Sequence, residues 1–145
     1  MTESRLNEIL EEKGSGVFEI DGDASVFEAV QLMVEKNAGS LLVTEGGEIS
    51  GIVTERDYLR RVTLEGRAER ETGVREIMSS PLIVASPETT VDECMALMTD
   101  RRIRHVPVVE EGKVVGLVSI GDLVKFKSKL QTFEIQYLTD YITSG

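Results

Sequence analysis

Several things are scarce in this chain, and each scarcity closes an option. One cysteine, Cys94, leaves no internal disulfide, which fits a reducing compartment and an expected cytoplasmic location. One histidine, His105, rules out a histidine metal cluster within a single chain. Sixteen Lys and Arg face 26 Asp and Glu, a net charge of −10. With aromatics at 5%, the chain lacks the basic, aromatic-rich face that nucleic acid or an anionic membrane would require. No apolar run approaches ~20 residues, so no membrane span is expected. Met1-Thr2-Glu3-Ser4 is polar and acidic, unlike a secretory signal. A nucleophile needs a base within reach, and the sequence shows no Ser/His/Asp ordering, metal-ligand spacing or P-loop. No catalytic residues and no enzyme activity are expected.

What the chain does have is a repeat. Gly51-Ile52-Val53-Thr54-Glu55-Arg56-Asp57 returns as Gly116-Leu117-Val118-Ser119-Ile120-Gly121-Asp122, sixty-five residues on. Aligning 17–62 with 82–127 needs no gap, and ten of the 46 positions are identical, where chance would give roughly three. One structural unit is used twice, so a pocket built by the unit is expected twice. At 145 residues and 41% hydrophobic content the composition is globular.

Each repeat reads strand, helix, strand, strand, helix. In the first, a brief strand over 17–20 precedes the capping box Ser25-Val26-Phe27-Glu28, in which the Ser oxygen accepts a backbone N–H and the Glu reaches back. The helix that follows buries Val26, Ala29, Val30 and Met33 on one face. A hairpin of strands 40–44 and 49–53 leads to a helix from Thr54 through Val62. In the second, a strand over 82–85 precedes the box Thr90-Val91-Asp92-Glu93, and Val91, Cys94, Met95 and Met98 line the helix. Strands 106–109 and 114–118 lead to a helix from Ser119. Cys94 aligns with Ala29 and reads as core packing. The expected organisation is an N-terminal helix at 1–13, repeat one at 14–63, a linker at 64–77, repeat two at 78–129 and a C-terminal helix at 130–145. Such a unit is too small to close its own core. The fold class is therefore α/β (α+β), with two pseudo-twofold-related β-α-β-β-α repeats packed sheet to sheet and flanked by helices.

Thr54-x-x-Asp57 and Ser119-x-x-Asp122 sit where an apolar strand meets a helix. The plain reading is a further pair of capping boxes. Three features add a ligand-binding reading. Gly51 and Gly116, three residues earlier, leave room for another group. A helix N-terminus offers N–H groups and partial positive charge to phosphate. A rim carboxylate can accept two hydrogen bonds from a vicinal diol such as ribose. Capping and binding are compatible.

Two repeats ending Gly-h-h-[ST]-x-x-Asp (h apolar) resemble a tandem pair of cystathionine β-synthase (CBS) domains, the Bateman module. Ile103-Arg104-His105-Val106-Pro107-Val108-Val109 and Val74-Arg75-Glu76-Ile77-Met78 strengthen the likeness, which spans about residues 14 to 127. The resemblance implies a stand-alone regulatory module that binds an adenosine-containing ligand (AMP, ADP, ATP or NAD(H), with Mg beside ATP) in two clefts between the repeats. It also implies a homodimer and a regulated partner protein, with no catalytic cofactor. In this likeness the Asp takes the ribose hydroxyls and the Thr or Ser sits near ribose and phosphate. Carried over, one site combines Thr54, Arg56 and Asp57 with Met78, Ser79, Pro81, Leu82, Arg104, His105 and Pro107. The other combines Ser119 and Asp122 with Ser15, Val17, Ala38 and Gly39.

The two sites differ in charge. Arg101, Arg102, Arg104 and His105 form the densest basic cluster, where repeat one has Lys36, Asn37, Gly39 and Ser40, and Arg56 becomes Gly121. Phosphate is therefore expected to bind more tightly at Asp57. The rival from another class is a constitutive interaction or scaffold module whose clefts stay empty. Residues 133–142, with Phe133, Tyr137, Leu138 and Tyr141, are expected to pack across a dimer.

Overall fold

A computed structural model describes residues 3–14 and 16–130. Ser15 and, apart from Leu130, the expected helix over 130–145 lie outside the described residues. The chain divides into two compact units. One is Gly16–Ile83, and the other joins residues 3–14 to residues 84–130.

In the first unit, β1 (Glu19–Asp21) pairs in parallel with β2 (Ser40–Glu45), which pairs antiparallel with β3 (Glu48–Thr54). Between β1 and β2 lies α2 (Val26–Lys36); the Leu6–Lys13 helix, α1, belongs to the other unit. The expected box starts α2: Ser25 Oγ accepts from Glu28 N at 3.2 Å, and Glu28 Oε2 accepts from Ser25 N at 3.2 Å. Asn37 closes it in the left-handed region at φ 52°, a conformation asparagine tolerates better than most residues. After β3 the sequence predicts one continuous helix. Instead α3 (Glu55–Tyr58) gives way to a π turn over Leu59–Thr63, where Leu64 N donates to Leu59 O at 3.1 Å. The wider turn carries Val62, 2% exposed, into the core.

In the second unit, α5 (Val91–Arg101) precedes the hairpin of β4 (His105–Glu110) and β5 (Lys113–Ser119), followed by α6 (Ile120–Leu130). The strand expected over 82–85 shrinks to one parallel bridge between Ala85 and Val108. Past Ala85 the ladder cannot continue, because Ser86 N is taken by Thr89 Oγ1 at 3.1 Å and Pro87 has no N–H to donate.

The linker expected at 64–77 is not wholly a linker. Its end forms α4 (Val74–Ile77), which packs on repeat one with Val74 and Ile77 buried. This segment has a counterpart before repeat one. Val74 N donates to Ala24 O at 2.8 Å and Arg75 N to Gly22 O at 3.2 Å. In the other unit, Leu6 N donates to Thr89 O at 2.9 Å and Asn7 N to Pro87 O at 3.1 Å. Glu76 accepts from Gly73 N just as Glu8 accepts from Arg5 N, at 2.6 and 2.7 Å. The repeat therefore extends to a leading helix, offset by sixty-eight residues rather than sixty-five, and the leading helices are exchanged. The segment before repeat two docks on repeat one, and α1, before repeat one, docks on repeat two.

Each unit closes its own core. Val26, Ala29, Met33, Leu41, Val43 and Val53 join Val74 and Ile77 in the first. Leu6 and Ile9 join Val91, Cys94, Met98, Val106 and Leu123 in the second. Fully burying an aliphatic side chain of this size stabilises by about 1.5–3 kcal/mol, so α1 is bound into the core of its unit. Burial pushes the Cys94 thiol up to about 11, which agrees with a packing role.

Candidate ligand site

Both strand-to-helix junctions form the capping boxes expected from their spacing. Thr54 is extended at φ −126° and ψ 165°. Its Oγ1 accepts from Asp57 N at 3.2 Å, and Asp57 Oδ2 accepts from Thr54 N at 3.0 Å and Thr54 Oγ1 at 3.1 Å. At the second junction, Asp122 N donates to Ser119 Oγ at 3.1 Å and Ser119 N to Asp122 Oδ2 at 2.8 Å. The next N–H is spent as well: Glu55 N donates to Gly39 O at 3.1 Å and Ile120 N to Arg104 O at 2.9 Å. Two of the N–H groups expected to face a phosphate at each junction thus serve the cap and the neighbouring loop.

The room expected beside the two glycines is also taken. A Cβ on Gly51 would lie 2.7 Å from Met78 Sδ and 2.8 Å from Ser79 O; one on Gly116 would lie 2.5 Å from Leu10 Cδ2. Met78 and Leu10 are matching positions on the exchanged leading segments. The glycines let these segments approach the strands.

That docking brings a polar group to each aspartate. Ser79 exchanges hydrogen bonds with Ile52, N to O at 2.8 Å and O from N at 3.1 Å, which holds it along β3. Its hydroxyl donates to Asp57 Oδ1 at 3.3 Å. In the other unit Lys13, the last residue of α1, places Nζ 2.6 Å from Asp122 Oδ2 and 2.7 Å from Leu117 O. Burial alone would raise the Asp122 carboxyl, but the Lys13 hydrogen bond and charge, with the Ser119 bonds, hold it below its ordinary value. The basic cluster in the sequence points to Asp57, and nothing in the spacing of Lys13 points to Asp122. The 109-residue separation hides the pair, and only the sixty-eight-residue correspondence of the leading helices hints at it.

The other expected site residues fall as follows. Arg56 is exposed on α3, Met78 is half-buried against the core, and Pro81 and Leu82 follow the cis peptide Ser80–Pro81 in the same unit. Val17 is half-buried ahead of β1, and Ala38 and Gly39 join α2 to β2. In the second unit Arg104 is exposed, His105 lies opposite Ser119 in the β4–β5 register, and Pro107 is buried opposite Leu117. The structure thus gathers Thr54, Asp57 and Ser79 at one junction, and Ser119, Asp122 and the unforeseen Lys13 at the other. Among the described residues there is no cluster of His, Cys, Asp and Glu able to hold a metal.

Two junctions of one design, one per repeat, agree with the comparison to known sequences: the CBS domain model matches residues 15–63 and again 74–129. The chain belongs to the CBS domain family. Such domain pairs are commonly regulatory or signal-transduction modules rather than catalysts. The CBS domain-containing protein CBSX3, mitochondrial, of Arabidopsis thaliana is 44% identical over 128 residues, which is 85% of this chain and 62% of that protein. The chain therefore spans under two thirds of that relative's length. A CBS-domain protein of Burkholderia ambifaria MC40-6 has a solved structure with 46% identity and a TM-score of 0.81, covering 84% of this chain and 92% of that one. The hexameric CBS-CP12 protein from bloom-forming cyanobacteria shares 27% identity and a TM-score of 0.78, covering 99% and 91%. Among the described residues of the CBS pair, no helix is long and apolar enough to cross a membrane.

Proposed function

We propose that this CBS pair is a ligand-sensing regulatory module that binds an adenosine-containing ligand (AMP, ADP, ATP or NAD(H)) and has no catalytic activity of its own. The observation that carries this reading is the hydroxyl–carboxylate pair at each junction. Asp57 and Asp122 are each half-buried and anchored through one oxygen by the cap. A carboxylate fixed in this way is suited to accept both hydroxyls of a ribose. The ligand changes the behaviour of a partner protein only by favouring one conformation over another. Cytoplasmic location belongs to the same proposal, as does magnesium carried in with ATP.

Two observations favour the alternative, a constitutive interaction module. The space beside both glycines is filled by the chain itself, and Asp122 already holds a cation. Thermal melts with AMP, ATP, NADH and S-adenosylmethionine separate the readings. Binding to the native state raises the melting temperature, and no rise with any of the four would favour the scaffold. Calorimetry on Asp57→Ala and Asp122→Ala then ranks the sites, and a larger affinity loss from Asp122→Ala would overturn the primacy of Asp57. Native mass spectrometry of the purified protein would show whether a nucleotide travels with it.

Self-association, proposed as a homodimer, is supported by exposed apolar side chains on the helices of the first unit, Val34 at 77% and Leu59 at 56%. These two, with Val30, Met33 and Tyr58, line an open pocket of about 430 Å³. A monomeric mass in solution would dismiss the dimer.

A further inference from the structure

The two aspartates hold the same place in their repeats but are satisfied differently. Asp57 meets hydroxyl groups, from Thr54 and from Ser79 at 3.3 Å, along with the Thr54 N–H. Asp122 meets an ammonium at 2.6 Å, and that ammonium is itself fixed by Leu117 O at 2.7 Å. Hydroxyl donors on a carboxylate exchange readily for other hydroxyl donors, since the hydrogen bonds lost and gained are of one kind. Every bond to these carboxylates is charge-assisted, but the Lys13 ammonium adds a full opposite charge that a neutral diol does not replace. A neutral diol that takes its place leaves both Lys13 and Leu117 O without that partner.

We infer that Lys13 is an internal latch on the second site, pairing with Asp122 through the same Oδ2 that accepts from the Ser119 N–H and so holding the carboxylate against a ligand's hydroxyls. The inference rests on the ligand-binding reading proposed above and goes beyond it by assigning the inequality of the two sites to one side chain. Lys13 reaches Asp122 because α1 docks on repeat two through Leu6 and Ile9, and Leu10 over Gly116 brings the end of the helix onto β5. In the first unit the corresponding place is filled by a different group. The chain there turns after α4 into Ser79, which bonds to Asp57 through a hydroxyl. Beside the latch, Ile9, Glu12, Lys125, Phe126 and Lys129 line an open pocket of about 170 Å³, so a displaced Lys13 side chain has space to turn aside. Lys129 is paired there with Glu12 at 3.2 Å.

The test is calorimetry with AMP and with ATP on the full chain and on Lys13→Met and Lys13→Arg. Methionine keeps the aliphatic stem and removes the charge; arginine keeps the charge. The wild type is expected to bind one nucleotide per chain tightly, at the site that Asp57→Asn abolishes. Lys13→Met is expected to strengthen the second site by about tenfold, the size of one hydrogen bond to a charged group, with Asp57→Asn leaving that site intact. Lys13→Arg is expected to behave as the wild type. Circular dichroism melts confirm that each variant is folded. If Lys13→Met leaves the second site unchanged while the first still binds, the latch is wrong and the ligand reading stands. Two equal sites in the wild type, or a second site opened equally by Lys13→Arg, would also overturn the latch. No nucleotide bound by wild type or variants would overturn both.

Discussion

A Cβ on Gly116 would stand 2.5 Å from Leu10 Cδ2, and a Cβ on Gly51 would stand 2.7 Å from Met78 Sδ. Both glycines admit a leading segment that belongs, by sequence order, to the opposite repeat. They differ in what lies behind the first contact. Ser79 O, a backbone atom, is 2.8 Å from the Gly51 position, whereas the three atoms nearest the Gly116 position all belong to the Leu10 side chain. Gly51→Ala is therefore expected to destabilise by about 1–3 kcal/mol and Gly116→Ala by less. Urea denaturation of the two variants measures the order, and a costlier Gly116→Ala would contradict it.

The docking of α1 carries a stability prediction of its own. Leu6 is fully buried among Val91, Cys94 and Leu123. Leu6→Ala is expected to cost about 2–5 kcal/mol, as is Ile77→Ala in the leading helix docked on the other unit. A loss below about 1 kcal/mol for Leu6→Ala, the range of a surface change, would mean that α1 does not hold the unit together.

Asp122 also makes stability depend on acidity. Its folded carboxyl is held below the ordinary 3.8, with Lys13 and Ser119 outweighing burial. The lowered value favours the charged form in the folded state. The contribution is complete above 3.8 and is lost as pH falls through the lower folded value. The stability of wild type over Asp122→Asn should accordingly be constant near neutral pH and shrink on acidification below about pH 4. A gap that stays unchanged down to pH 3 would show that the Lys13 pairing contributes nothing.

Cys94 should be inert. Its side chain is fully buried and its thiol lies near 11, so little thiolate forms at pH 8. A thiol reagent such as Ellman's is expected to label it only as fast as the chain opens, and at once in urea. Rapid labelling of folded protein would place the thiol outside the core.

Much of the fold was legible in short spacings. Ser25 with Glu28, Thr90 with Glu93, Thr54 with Asp57 and Ser119 with Asp122 all form the boxes that three-residue spacing predicts. Val26, Ala29 and Met33 are buried as their helical period requires. The π turn after Tyr58 was not legible, because α and π turns draw on the same residues and the burial of Val62 accompanies the wider one. The strand at 82–85 was overread. Its apolar residues suit a strand, but of these only Ala85 pairs, in a single bridge with Val108.

The sequence by itself determined the repeat, the hairpins, the caps and the two aspartates, because each is a local matter of hydrogen bonds and periodicity within a few residues. Only the tertiary structure decided which leading helix serves which repeat. It also decided what fills the space beside Gly51 and Gly116, and that Lys13 reaches Asp122 across 109 residues. Those pairings depend on the path of the chain between distant segments, which no spacing records. Their energies come from buried contacts that exist only once Leu6 and Ile9 have found the second core.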